Sequence, residues 1–328
     1  MHDFTVLVLH GAFASSVALT LDILATAAAM APRIGAGIPQ WKVCAATDSP
    51  VPLSNGMHVD AKRLPRRPES DGSVWIVPGL GPDSLAGMAQ RLSQSDALEA
   101  AQALRVQARA GGTVAASCAA VFLLQAAGLL VDRKATTTWW LASQLQRVEP
   151  RCKVDAHRMV ISDGPIWTAG AALAQTDLML QLLRTRFGPA LADAVSRVLL
   201  IDAREAQSPF VIPAMLASGD EFIARLSAQI DAALPQAPSV ARLAATFCVS
   251  ERTLARRVRA ATGQSPLGLI QCVRLQKARM LLETSRMTVD QVAEQVGYGD
   301  ATALRRLMRK VSGATPRQFR SSVSASTS

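Results

Sequence analysis

The sequence predicts an α/β front domain, a parallel sheet with helices on both faces, followed by an all-α domain. Three observations carry this. Short apolar runs alternate with helical stretches as far as residue 187, the pattern of strands buried on both faces. After Gly188 the strands stop, and everything periodic has helix spacing. The charge is also partitioned. Residues 1–239 hold 20 Lys and Arg against 20 Asp and Glu, whereas residues 240–328 hold 15 against 5, so the whole net charge of +10 lies in the last part.

The elements follow in order. FTVLVL (4–9) is a strand, and 17–30 a helix. WKVCAAT (41–47) and SVWIVPG (73–79) are the next strands. An amphipathic helix covers 96–110, TVAAS (113–117) is a buried strand, and 119–127 is a helix stopped by Gly128. Residues 158–170 read as a strand pair and 171–187 as a long helix. Helices over 190–200 and 220–234 flank SPFVIP (208–213), where the domain boundary is placed. The expected domains are 1–190 (sensing and dimerisation), a connector at 191–215, 216–322 (DNA binding, with units at 240–261 and 288–311) and a disordered Ser-rich tail at 323–328.

Composition narrows the function classes. With 49% hydrophobic and 18% charged residues the chain folds rather than staying disordered. The apolar first thirty residues are interrupted by Asp3, His10 and Asp22 and lack a basic start, the first basic residue being Arg33, which argues against a signal peptide. The uncharged stretch 110–131 contains Gly111, Gly112, Ser117, Gln125 and Gly128, which fits a buried strand and helix better than a membrane span. Five widely spaced cysteines (Cys44, Cys118, Cys152, Cys248 and Cys272) form no CxxC pair, so reduced thiols in a cytoplasmic protein are expected. The GAG at 35–37 and GLG at 79–81 lack the third glycine of a dinucleotide loop, and no metal-ligand spacing occurs; neither cofactor nor metal is expected.

The basic part has its own logic. In 240–263, Leu243 and Phe247 give a bracing helix an apolar face, and Ser250 is placed to cap the next helix. Leu254, Val258 and Ala261 then form an inward stripe, with Arg252, Arg256 and Arg259 opposite. The pattern recurs about fifty residues on. Val289, Val292 and Val296 brace, Gly297 turns, and 301–313 places Leu304, Leu307, Met308 and Val311 inward with Arg305, Arg306, Arg309 and Lys310 outward. A brace followed by a basic helix is helix-turn-helix logic, and a helix over 266–283 joins the two units. An Arg-rich face that only solvates a helix is the bland alternative.

The stretches SERTLARRV (250–258), TGQSP (262–266), RLQKARMLLE (274–283), VAEQVGY (292–298) and GATPRQFR (313–320) make residues 239–320 closely resemble the AraC/XylS DNA-binding domain. Where that family places an inward Phe on each reading helix, Val258 and Met308 stand here. The resemblance implies that Arg252, Ala255 and Arg256, behind the cap Ser250, meet bases from the first unit, and Ala301, Thr302, Arg305 and Arg306 from the second. Arg259, Arg309 and Lys310 would neutralise phosphates. Double-stranded promoter DNA and RNA polymerase are the implied partners.

Cys118 sits where TVAAS meets a helix. There a thiol is either a nucleophile activated by the helix dipole or a small buried hydrophobe. VPGLGP (77–82), SCAAVFLLQAAGLLVDRKATT (117–137) and TAGAALAQTDLML (168–180) resemble the PfpI-like branch of the class I glutamine-amidotransferase-like fold, over about residues 4–190. Joined to an AraC-type domain, this is the arrangement of the GlxA-like regulators. Enzymatic relatives carry a His after the TT pair and a carboxylate near the first helix. Here Thr138 and Ser16 stand at those places, so no enzyme is expected. The resemblance implies a homodimer, with a nitrogen-containing effector lined by Ser16, Asp22, Gly79, Cys118 and Thr138. A cysteine-dependent amidase or hydrolase with a DNA-binding appendage is the alternative. A redox sensor ranks below it, because no resolving cysteine is near in sequence.

Overall fold

The computed structural model describes residues 2–65, 69–81, 84–201, 207, 221–312 and 315–316. The chain divides into two compact units, Met1–Glu205 and Ala206–Ser328.

The first unit is built on strands β1 (Phe4–Leu7), β2 (Trp41–Ala45), β3 (Val51–Pro52), β4 (His58–Val59), β5 (Lys62–Arg63), β6 (Val74–Val77), β7 (Val114–Ser117), β8 (Lys134–Ala135), β9 (Lys153–Val154), β10 (Val160–Asp163) and β11 (Ile166–Ala169). Seven of them form one sheet in the order β10-β11-β7-β6-β1-β2-β5. All its pairings are parallel except β10 with β11, the hairpin expected at 158–170. Every residue of β1, β6 and β7 is buried, which is why these strands read as mostly apolar runs. The uncharged stretch 110–131 resolves into β7 followed by a short buried helix.

The helices of this unit are α1 (Ala14–Met30), α2 (Leu85–Leu92), α3 (Ser95–Arg109), α4 (Val121–Ala126), α5 (Ala142–Val148), α6 (Ala174–Phe187) and α7 (Pro189–Val198). α1, α6 and α7 pack together as one layer, and α2, α3 and α4 as another. Ala14–Ile34 is long and apolar enough to cross a membrane by length and composition. However, Val17, Thr20, Ile23, Leu24 and Ala27 recur at helix spacing on its buried face, as in a core helix. The domain edge differs from expectation. Leu191, Ala192 and Val195 of α7 are fully buried in the first unit's core, so this helix belongs to that unit and not to a connector starting at 191. Gly188, at φ 89°, lets the chain turn back after α6, a reversal that helix periodicity alone does not reveal. The stretch 208–213, where the boundary was placed, lies outside the described residues.

The second unit contains α8 (Glu221–Ala232), α9 (Val240–Thr246), α10 (Glu251–Thr262), α11 (Pro266–Thr284), α12 (Val289–Gln295) and α13 (Ala301–Ser312). Its short helices are held by caps. Ser239, Ser250, Ser265 and Thr288 each accept a bond from the main-chain N–H three residues on, and Thr288 with Gln291 forms a full capping box. Each cap is worth about 1 kcal/mol. Ala278, Leu282, Val292, Ala293, Val296, Leu304 and Met308 form the core shared by α11, α12 and α13.

Candidate functional site

The first unit gathers its polar side chains at the carboxyl ends of the parallel strands, where open α/β sheets place their ligands. β7 ends at Ser117, and Cys118 opens a 3-10 turn with φ 55°, a left-handed conformation for a residue with a side chain. Two bonds hold that turn: the Cys118 N–H donates to the Gly170 carbonyl at 2.6 Å, and the Thr137 hydroxyl donates to the Cys118 carbonyl at 2.6 Å. The side chain is 1% exposed. Burial pushes its thiol up to about 11, opposed only in part by the main-chain N–H groups of Ala119 and Ala172. The thiol is therefore protonated at neutral pH. Of the two readings left open for this turn, burial outweighs the helix dipole.

Ser16, Ser117 and Cys118 converge on Gly79. A Cβ there would lie 3.0 Å from the Cys118 Cβ, 3.1 Å from the Ser16 Oγ and 3.6 Å from the Ser117 Oγ, so only glycine fits without displacement. Ser16 donates to the Ala172 carbonyl at 3.1 Å. Thr138 is fully buried, and its hydroxyl and that of Ser117 have no hydrogen-bond partner. Asp22 is a correction. It is exposed on α1, six residues beyond buried Ser16, a spacing that turns it away from the face Ser16 shares with Thr20. All four histidines are exposed. The cluster thus offers hydroxyls, main-chain N–H groups and a protonated thiol. These can hydrogen-bond a small molecule, but none is a base at neutral pH.

The second unit presents two basic helices. On α10, Leu254, Val258 and Thr262 are buried while Arg252, Arg256 and Arg259 are exposed on the opposite side. Ser250 caps this helix through the Thr253 N–H at 3.2 Å. On α13, Leu304, Leu307 and Met308 are buried, and Thr302, Arg305, Arg306 and Arg309 are exposed. Ala255 is half-buried between the two faces of α10. Ala301 is a second correction. At 2% exposed, its side chain is buried and is not presented to a base edge. The side chain of Lys310 lies outside those described. Among the described residues, no group of three or more His, Cys, Asp or Glu is placed to hold a metal ion.

The sequence model of the DJ-1/PfpI family matches residues 7–185. The chain belongs to the DJ-1/PfpI family. Behind its DJ-1/PfpI domain, a helix-turn-helix domain model matches residues 243–322. Similarity to curated relatives extends over most of the chain. The HTH-type transcriptional regulator CdhR of Pseudomonas aeruginosa is 27% identical over 294 residues, covering 89% of this chain and 84% of that one. The HTH-type transcriptional regulator GlxA of Rhizobium meliloti is 27% identical over 301 residues, covering 90% of each. A solved structure from Vibrio parahaemolyticus, 19% identical, superposes with a TM-score of 0.51 over 61% of this chain and all of its own, which shows the fold of the DJ-1/PfpI domain. The protein is a DNA-binding transcription regulator of AraC type with a DJ-1/PfpI domain.

Sequence reasoning missed Ser117 and Ala172 of the DJ-1/PfpI domain. Ser117 was read only as the end of a buried strand, and Ala172 acts through its main chain, which leaves no mark in residue type.

Proposed function

We propose that the DJ-1/PfpI domain is a non-catalytic sensor. In this reading a small nitrogen-containing metabolite binds beside Cys118 and biases how a cytoplasmic homodimer engages promoter DNA and RNA polymerase. The observation that carries it is the pair of buried, unpartnered hydroxyls, Ser117 and Thr138, one adjoining a protonated thiol and the other next to Thr137, which bonds the Cys118 carbonyl. Unsatisfied buried hydroxyls are costly, and a bound ligand supplies their partners. Directly after Thr138, the rings of Trp139 and Trp140 stand edge to face at 5.0 Å.

A thermal-shift screen of amino acids, amines and quaternary ammonium compounds tests this. A ligand at about 100 times its dissociation constant adds about 2.7 kcal/mol to the folded state. The shift is expected to vanish in Gly79→Ala, whose methyl would crowd the point where Ser16, Ser117 and Cys118 meet, and the ligand is recovered unchanged. Conversion of the ligand to a product that Cys118→Ala no longer makes would instead establish a cysteine hydrolase.

A further inference from the structure

One group of side chains in the second unit serves neither the buried core nor the DNA-facing stripe. Arg225 and Phe222 of α8 interleave with Phe247, at the end of α9, and Arg257 of α10. The Arg225 guanidinium lies 5.9 Å from the Phe247 ring centre, the two Phe rings meet edge-on at 5.2 Å, and the Arg257 guanidinium lies 4.9 Å from the Phe222 ring centre. The ladder runs cation, ring, ring, cation, and it joins α8 to both helices of the first helix-turn-helix unit. α8 is itself anchored from behind by buried Ile223, Leu226 and Ile230 and by the Asp231–Lys277 ion pair at 3.7 Å.

Arg257 is the informative member. It directly follows Arg256 on α10, about 100° round the helix, and is exposed. Its counterpart fifty residues on is Leu307, which is packed inward. A cation at this position is therefore not required by the fold of the unit. Instead, its charge sits on the face of Phe222, where the ring quadrupole attracts it.

We propose that Phe222 is a positioning residue for DNA reading: it holds the Arg257 guanidinium on the protein and off the phosphate backbone, so that α8 sets how many cations the first reading helix presents. α8 precedes both reading helices in the chain. A displacement of α8 would free one further cation for DNA. The counterion-release slope reads this directly, since each phosphate neutralised steepens the dependence of log K on log salt by about 0.9.

The test uses full-length protein and a duplex selected by the wild type from a random library. Phe222→Ala and Phe222→Leu are both expected to steepen the salt slope by about one ion; the second keeps most of the apolar volume and guards against a folding defect. Arg257→Ala alone leaves the slope unchanged, and Phe222→Ala combined with Arg257→Ala returns it to the wild-type value. A slope that flattens by about one ion in Arg257→Ala alone would overturn the inference, because Arg257 would already be on the DNA. So would equal slopes for all these proteins on a duplex they all bind. The inference rests on DNA binding by this unit, and a wild type that selects no duplex would overturn that reading first.

Discussion

The two helix-turn-helix units solve one packing problem with different residues. A shift of fifty positions superimposes their reading helices in the sequence: Leu254 on Leu304, Val258 on Met308, Arg256 on Arg306 and Arg259 on Arg309. These inward positions keep their apolar character, because each is buried against its neighbours. The remaining positions diverge. Arg252 becomes Thr302, Ala255 becomes Arg305, Arg257 becomes Leu307 and the cap Ser250 becomes Asp300, which accepts the Ala303 N–H at 2.8 Å. That bond, with the N–H of Thr302 and the nearby Arg306, holds the Asp300 carboxyl below its usual range. The difference separates two constraints. Packing fixes one face of each helix and leaves the other free to vary.

The turns differ most, and they yield the largest expected effect. Gly297 has φ 81°, and a Cβ there would run into the Pro235 carbonyl and approach Arg274 at 3.2 Å. Arg274 in turn stacks on Tyr298 at 5.0 Å. Gly297→Ala therefore combines left-handed strain with a backbone clash, together about 3 kcal/mol or more. Chemical denaturation followed on the second unit should show that loss, together with a specific loss of DNA reading by α13. Near-wild-type stability would mean that the loop carrying Pro235 gives way freely.

The next effect separates the two reading faces. Arg256→Ala and Arg306→Ala are each expected to weaken binding by about 1–3 kcal/mol, as loss of a bidentate guanine contact would. Each should relax preference at a different base position, since the two residues occupy equivalent places on separate helices. Reselection of binding sites with each variant checks this. If both variants relax the same position, the two units read a single stretch of DNA and the comparison fails.

How much of this was legible in the sequence follows from the range of each interaction. The central strands β1, β6 and β7 were legible because strands buried on both faces are mostly apolar runs, whereas the two-residue exposed edge strand β5 left no such pattern. The two units were legible because caps, turns and inward stripes are local. The meeting of Ser16, Gly79 and Cys118 joins three stretches far apart in the chain, and only the resemblance to a known fold indicated it. Asp22 and Ala301 were misplaced because helix phase decides exposure, and a motif carried over by alignment does not specify phase residue by residue. Phe222 carried no signal at all. Its partners, Phe247 and Arg257, lie 25 and 35 positions away, and a half-buried ring at the start of a helix looks like any other.

The smallest expected effect returns to the turns. Cys248 occupies the first unit's counterpart of Gly297 and has φ 52°, yet its side chain is exposed. A residue with a Cβ is strained in that conformation by about 1–2 kcal/mol, whereas glycine loses about 0.5–1 kcal/mol through the greater freedom of the unfolded chain. Cys248→Gly should therefore stabilise the second unit by about 0.5–1 kcal/mol, the difference between those terms. That corresponds to a rise of a few degrees in its melting temperature. The same exchange in reverse, Gly297→Cys, is expected to be as damaging as Gly297→Ala. A fall in melting temperature for Cys248→Gly would show that the exposed thiol makes a stabilising contact of its own, and the two turns would then differ in what their side chains do as well as in the space around them.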